Sequence, residues 1–173
     1  MSSLLLHTCC GPCTTYVNKW LSENGFAVKG FFYNPNIRPQ EEYERRRKSM
    51  EQYSTLVGLE VFYEPNEVVV PLEDCATCYK VRLEKTAQKA KELNYDLFTT
   101  TLLISPYQDQ VLLKKIGDEI GMRIGVEFLW QDFKKGFSES QLISKELGFY
   151  RQNYCGCMPR EKNVKTKQLN AKK

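Results

Sequence analysis

Short apolar runs alternate along the chain with longer stretches in which apolar residues recur every three or four positions. The first run, Leu4-Leu5-Leu6, is brief and continuous, as in a buried strand. Residues 12–24 follow as a helix, with Cys13, Val17, Trp20 and Leu21 on one face and Gly25 closing it. Residues 27–33 read as a second strand, ended by Asn34-Pro35-Asn36. Residues 40–57 read as a helix with Tyr43, Met50, Tyr53 and Val57 inward, and Arg45, Arg46, Arg47 and Lys48 on the opposite, solvated side. A third strand is expected over 60–64, stopped by Pro65; residues 68–72, broken by Pro71, read as a loop or short strand. A helix over 75–94 starts behind Asp74, a suitable cap, and turns Tyr79, Leu83, Ala87, Ala90 and Leu93 inward. A fourth strand over 95–103, a helix over 110–120, a short strand over 126–130 and a helix over 137–147 complete the pattern. This alternation predicts an α/β fold: one doubly wound, mostly parallel sheet with helices on both faces. Residues 1–160 are expected to form a single domain, and the basic stretch 161–173 a flexible tail.

Composition adds two points. Twenty-five Lys and Arg against 21 Asp and Glu give a net charge of +4, which is compatible with a polyanionic partner without requiring one. No signal pattern is visible, and no apolar run reaches the roughly 20 residues that span a bilayer. A cytoplasmic, reducing location is therefore expected, and there cysteines serve as metal ligands or redox groups rather than as staples. The chain has seven, in three tight groups: Cys9, Cys10 and Cys13; Cys75 and Cys78; Cys155 and Cys157.

The first group sits where the first strand gives way to a helix. Gly11 permits a tight turn, and Pro12 suits the first helical position, where a missing N–H costs nothing. Adjacent cysteines in a regular strand point to opposite faces, so Cys9 and Cys10 can share one centre only if the strand has already ended, as Gly11-Pro12 indicates. Cys13 also lies on its helix's apolar stripe, so a plain core role is equally open to it. The Cys75-Ala-Thr-Cys78 pair places two sulfurs on one helix face. Alone it suits a dithiol, half a zinc site or half an iron–sulfur site. With Cys9 and Cys10 it makes four thiolates, and a [4Fe-4S] cluster is favoured over zinc because the chain has a core of its own to fold around. Cys155-Gly156-Cys157 can close only a very small strained ring, which suits cycling between dithiol and disulfide, although two further metal ligands are the other reading. Tyr107 and Asp109, in the loop after the fourth strand, are candidates to hold substrate or give a proton, or are simply turn formers. Arg46 is a candidate phosphate contact. His7, the only histidine, reads as structural.

Taken together, several stretches resemble epoxyqueuosine reductases of the QueH type over about residues 4 to 158. They are Leu6-His7-Thr8-Cys9-Cys10-Gly11-Pro12-Cys13, Tyr33-Asn34-Pro35-Asn36-Ile37 with Glu42-Tyr43, Cys75-x-x-Cys78, Ser105-Pro106-Tyr107 and Tyr150-Arg151-Gln152-Asn153-Tyr154-Cys155-Gly156-Cys157. The resemblance implies a fold similar to the PP-loop and adenine-nucleotide α-hydrolase (HUP) group. It implies reduction of the epoxide of epoxyqueuosine, at the wobble position of tRNA, to the alkene of queuosine. It also implies a [4Fe-4S] cluster on Cys9, Cys10, Cys75 and Cys78, a redox-active Cys155/Cys157 pair, and room for an additional iron near Cys13 and a carboxylate such as Asp109. An electron donor is required as a partner, and the tRNA would meet Arg46, Tyr107 and Tyr154. A general thiol–disulfide oxidoreductase fits each cysteine pair but not the clustering of all three groups, and two other classes compete. A PP-loop-like tRNA sulfurtransferase would need a phosphate grip, and the Ser-Gly-Gly loop is replaced here by Cys9-Cys10-Gly11-Pro12. A zinc-stabilised RNA-binding module would be colourless and carry stoichiometric zinc.

Overall fold

The computed structural model describes residues 1–65 and 74–156. Five strands, β1 (Ser2–His7), β2 (Phe26–Phe32), β3 (Val61–Tyr63), β4 (Leu97–Thr100) and β5 (Glu127–Phe128), form one sheet in the order β3-β2-β1-β4-β5. Every pairing is parallel. β1 is the central strand and is buried from Leu4 to His7, which explains its unbroken apolar run: a parallel strand covered on both faces has no polar side to show. Between the strands run α1 (Gly11–Glu23), α2 (Gln40–Val57), α3 (Cys75–Glu92) and α4 (Gln110–Ile124), with α5 (Phe137–Glu146) at the end. α1 packs against α2 and α5, and α3 against α4. Among the described residues, no helix is long and apolar enough to cross a membrane.

Several boundaries differ from the sequence reading. β4 stops at Thr100 rather than running to residue 103, because the Thr100 hydroxyl accepts the Leu102 N–H at 3.1 Å and tips the chain into a 3₁₀ turn over Thr101–Ile104. α4 continues past residue 120 to a left-handed cap at Gly125. β5 is shorter than expected, and Val57 is exposed at the end of α2. The correction that matters most is Arg46. It does not lie on a solvated face: it is 2% exposed, inside the buried stripe of α2 with Glu42, Tyr43, Met50 and Tyr53. The segment 68–72 and the basic tail lie outside the described residues.

The strand order reverses at β1, with β2 on one side and β4 on the other. In an open α/β sheet the crevice for ligands lies at such a point, beyond the carboxyl ends of the strands. The segments after β1 and β4 meet there. The Cys9 N–H donates to the Thr101 hydroxyl at 3.1 Å, and that hydroxyl donates to Cys9 Sγ at 3.3 Å. Gly11 brings the start of α1 against α2. A Cβ there would stand 2.3 Å from the Ser49 carbonyl oxygen, so only glycine permits the approach.

Candidate metal centre

β1 ends in a fixed strut. His7 is fully buried, its Nε2 lies 3.0 Å from the Tyr33 carbonyl, and its Nδ1 lies 2.9 Å from the Thr100 hydroxyl. A carbonyl only accepts, so Nε2 carries the proton and Nδ1 accepts from the threonine. Burial, and after it the Arg82 charge, push the His7 pKa down to about 4. The unfolded chain takes its proton near pH 6.5, so between these values it binds more protons than the folded one. Stability is therefore complete above about pH 6.5 and falls as the pH drops toward 4. The gap corresponds to about 3 kcal/mol. Urea unfolding of metal-free protein from pH 7.5 to 4.5 should show that loss, and His7→Gln should flatten the slope.

Beyond His7 the chain leaves the sheet, and three sulfurs converge. Sγ of Cys9, Cys10 and Cys13 lie within 4.8 Å of one another, all three residues are buried, and the Cys9–Cys10 separation is 3.7 Å. Cys10 is the extended N-cap of α1, so its Sγ turns back to accept the Cys13 N–H at 3.5 Å. Hydrogen bonds from Cys10 and Cys13 hold the Cys9 thiol well below the ordinary range against the effect of burial. Burial pushes Cys10 up, and the hydrogen bond with Cys10 pushes Cys13 up. Within the trio the thiolate form is thus favoured most at Cys9, and any proton the thiols hold must leave when a metal enters.

The second pair comes from α3. Asp74 caps the helix, accepting the Thr77 N–H at 2.7 Å, so Cys75 opens its first turn and Cys78 faces inward. Cys78 is buried, and its Sγ accepts from Arg82 Nη2 at 2.6 Å. Arg82 is 2% exposed, and the charges of Cys78 and Cys9 both favour its cationic form against burial. Burial pushes the Cys75 thiol up, and the charges of Cys78 and Cys155 push the same way. Among the described residues, no trio that includes Cys75 or Cys78 closes to the spacing of Cys9, Cys10 and Cys13.

A cavity of about 100 Å³ opens over this centre. Cys9, Cys13, Arg46, Tyr107, Tyr154 and Cys155 all line it, with Gln108, Gln141 and Gln152. Gln152 Nε2 donates to Cys10 Sγ at 2.9 Å and lies 3.4 Å from Cys13 Sγ. Tyr79 holds the lining residue Gln108 from behind: its hydroxyl donates to Gln108 Oε1 at 2.5 Å and accepts the Asp109 N–H at 3.1 Å. Asp109 itself is the N-cap of α4, its Oδ1 accepting the Leu112 N–H at 3.0 Å, and it does not line the cavity. Cys157 lies outside the described residues. Arg82 and Gln152 were not expected as site residues. Arg82 sits one helical turn after Cys78, the spacing that puts two side chains on one face. Gln152 lies inside the cysteine-bearing motif near the carboxyl end.

The start of α1 offers no grip for phosphate. The Gly11 N–H is given to Ser49 Oγ at 3.1 Å, Pro12 has none, and that of Cys13 goes to Cys10. The donor set instead suits soft metal chemistry: buried thiols from two segments, with the Arg46 and Arg82 guanidiniums beside them.

A family model described as "Epoxyqueuosine reductase QueH" matches residues 4–163. The chain is 37% identical over 164 residues to the epoxyqueuosine reductase QueH of Dehalococcoides mccartyi, covering 90% of each protein. It is 36% identical over 176 residues to that of Thermotoga maritima, covering 91% of this chain and 90% of the relative. By structure it is similar to the U34-tRNA thiolase NcsA from Methanococcus maripaludis with its [4Fe-4S] cluster. That likeness has a TM-score of 0.60 at 15% identity and covers 97% of this chain and 64% of the other. The last comparison bears on the fold alone.

Proposed function

Because the chain belongs to the QueH family of epoxyqueuosine reductases, we propose that the cleft over the thiol trio is where it reduces the epoxide of epoxyqueuosine in tRNA. The observation that carries this reading is convergence: Cys9 and Cys13, from the start of α1, and Cys155, from the far end of the chain, line one cavity at the switch point of the sheet. The chain is an oxidoreductase. Its reaction removes the epoxide oxygen as water and takes up two electrons and two protons. The dithiol of Cys155 and Cys157 supplies both, forming one disulfide for each epoxide reduced, and an external reductant in the cytoplasm returns it to the dithiol. Cys9, Cys10, Cys75 and Cys78 are the proposed ligands of a [4Fe-4S] cluster, with Cys13 left for one additional iron. When bound, such a group supplies single electrons and Lewis acidity toward an epoxide oxygen. The remaining work falls to the chain. Tyr107 stands at the mouth with its ring 6.2 Å from that of Phe137, edge to face, and offers an aromatic surface to a base drawn out of a tRNA loop. Gln108, Gln141 and Gln152 offer amides to the hydroxyls of the modified base. The buried sulfurs beneath are sheltered from water, which limits side reactions of reduced thiols.

Anaerobic reconstitution with iron and sulfide, followed by incubation with epoxyqueuosine-containing tRNA and mass analysis of its nucleosides, tests the assignment. With a chemical reductant supplied to regenerate the dithiol, queuosine should accumulate over many turnovers with the parent chain and stay at background with Cys155→Ser. Full turnover by Cys155→Ser would remove the dithiol from the reaction.

A further inference from the structure

Residues 150–156 form a strap without strand or helix, so its position must come from what grips it. The grip is Arg46. Its Nη2 donates to the Tyr154 carbonyl at 2.7 Å and its Nη1 to the Cys155 carbonyl at 3.1 Å. The Arg38 N–H donates to the Gly156 carbonyl at 2.7 Å, so three consecutive carbonyls are held. The Tyr154 ring lies 5.4 Å from the guanidinium, and its hydroxyl donates to the Arg38 carbonyl at 2.5 Å. Glu42 completes the arrangement. One of its oxygens accepts Arg46 Nε at 2.7 Å, and the other accepts the Tyr150 hydroxyl. Arg46 and Glu42 are 2% and 4% exposed. Burying such a pair costs more than its attraction returns unless the remaining donors and acceptors are also used, as they are here. The contact is also close: Gly156 has φ +108°, and a Cβ there would meet Arg46 Nη1 and Ile37 Cγ1, each at 3.0 Å.

We propose that Arg46, locked by Glu42, is a positioning residue that holds Cys155 and Gln152 over the thiol trio. A rigid, planar fork with several donors can hold two carbonyls and a carboxylate at once, which a lysine cannot. Because Arg46 grips backbone carbonyls, it fixes the main chain at Tyr154 and Cys155. Arg46 is thus withdrawn from phosphate binding. The proposal rests on the redox reading of Cys155, but its readout is thiol reactivity, so the two can fail separately.

Reduced, metal-free protein is pulsed with iodoacetamide under argon, and alkylation at each cysteine is followed by peptide mass spectrometry. In Arg46→Lys, Cys155 should react at least tenfold faster than in the parent, while Cys75, at the exposed start of α3, keeps its rate. Tyr150→Phe, a milder change that spares the ion pair, should move Cys155 in the same direction by two- to threefold, and it serves if Arg46→Lys does not fold. In reconstituted Arg46→Lys, kcat should fall about tenfold with KM for the tRNA unchanged. An unaltered Cys155 rate in a folded variant overturns the proposal, and so does equal acceleration at Cys75 and Cys155, which marks general loosening. If Cys155→Ser keeps full turnover while the alkylation result stands, the redox reading fails and the positioning holds.

Discussion

Cys10→Ala should emerge from anaerobic reconstitution colourless, with its reductase activity at least 100-fold below the parent. Loss of groups that merely orient metal ligands costs about 10- to 100-fold in affinity or activity, and Cys10 is proposed as a ligand itself. Its sulfur is fully buried, 3.7 Å from Cys9 Sγ, and is the acceptor of the Gln152 amide. The fold should survive. Cys10 caps α1 through a 3.5 Å contact to the Cys13 N–H, and loss of a cap together with one small buried group costs about 1–3 kcal/mol. Far-ultraviolet circular dichroism separates the two effects: a native spectrum with no visible sulfur-to-iron band is the expected pair. Cys78→Ala should behave alike if α3 supplies ligands. Cys13→Ala should keep the band if Cys13 serves only an additional iron. Retention of band and turnover by both Cys10→Ala and Cys78→Ala would end the proposed ligand set, and parent protein that is colourless with stoichiometric zinc would favour a zinc module.

The fold could be read from patterning because its strands are the simple kind. β1 is apolar throughout since both its faces are covered, and α2 is bounded as expected because Pro39 precedes it and a left-handed Gly58 ends it. β4 was overextended for a physical reason. Threonine favours strands through its branched Cβ, but the hydroxyls of Thr99, Thr100 and Thr101 go instead to the Leu129 carbonyl, to His7 and to Cys9. The centre was half visible. A strand that ends at Gly11-Pro12 lets adjacent cysteines turn to one side, and the sulfurs of Cys9 and Cys10 do meet. Arg46 was misplaced because charge was weighed above phase. Tyr43, Arg46, Met50 and Tyr53 recur at helical spacing, so the arginine belongs to the inner stripe, and Glu42 one turn earlier supplies its counter-charge. Gln152 was beyond reach. It meets Cys10 across 142 residues, a contact made only when the strap closes over the sheet.

Arg82→Met should separate the stability of the metal-free protein from its hold on iron. Arg82 is buried with its Nη2 2.6 Å from Cys78 Sγ and within the influence of Cys9. Taking one member from a buried ion pair is ordinarily damaging because the other keeps its charge, at about 3–5 kcal/mol. Sulfur escapes that penalty, because a buried ionisable group left without a partner neutralises instead of staying charged. Methionine fills much of the arginine's volume with apolar atoms, so the apo variant should unfold within about 1 kcal/mol of the parent. With iron bound the proton is excluded, and the missing cation is felt in full. Retention against a chelator should fall about 10- to 100-fold, and the reduction potential should move to more negative values, because hydrogen bonds to the sulfurs and local net charge set it. Arg82→Lys, which restores the charge but not the fork across the Cys78 sulfur and carbonyl, should lie between the two. Iron content after chelator challenge, a redox titration followed by electron paramagnetic resonance, and urea unfolding of the apo forms measure the three quantities. Equal retention and potential in Arg82→Met and parent would reduce Arg82 to a packing residue. An apo form weakened by the full cost of an unpaired charge would remove the distinction between apo and loaded protein.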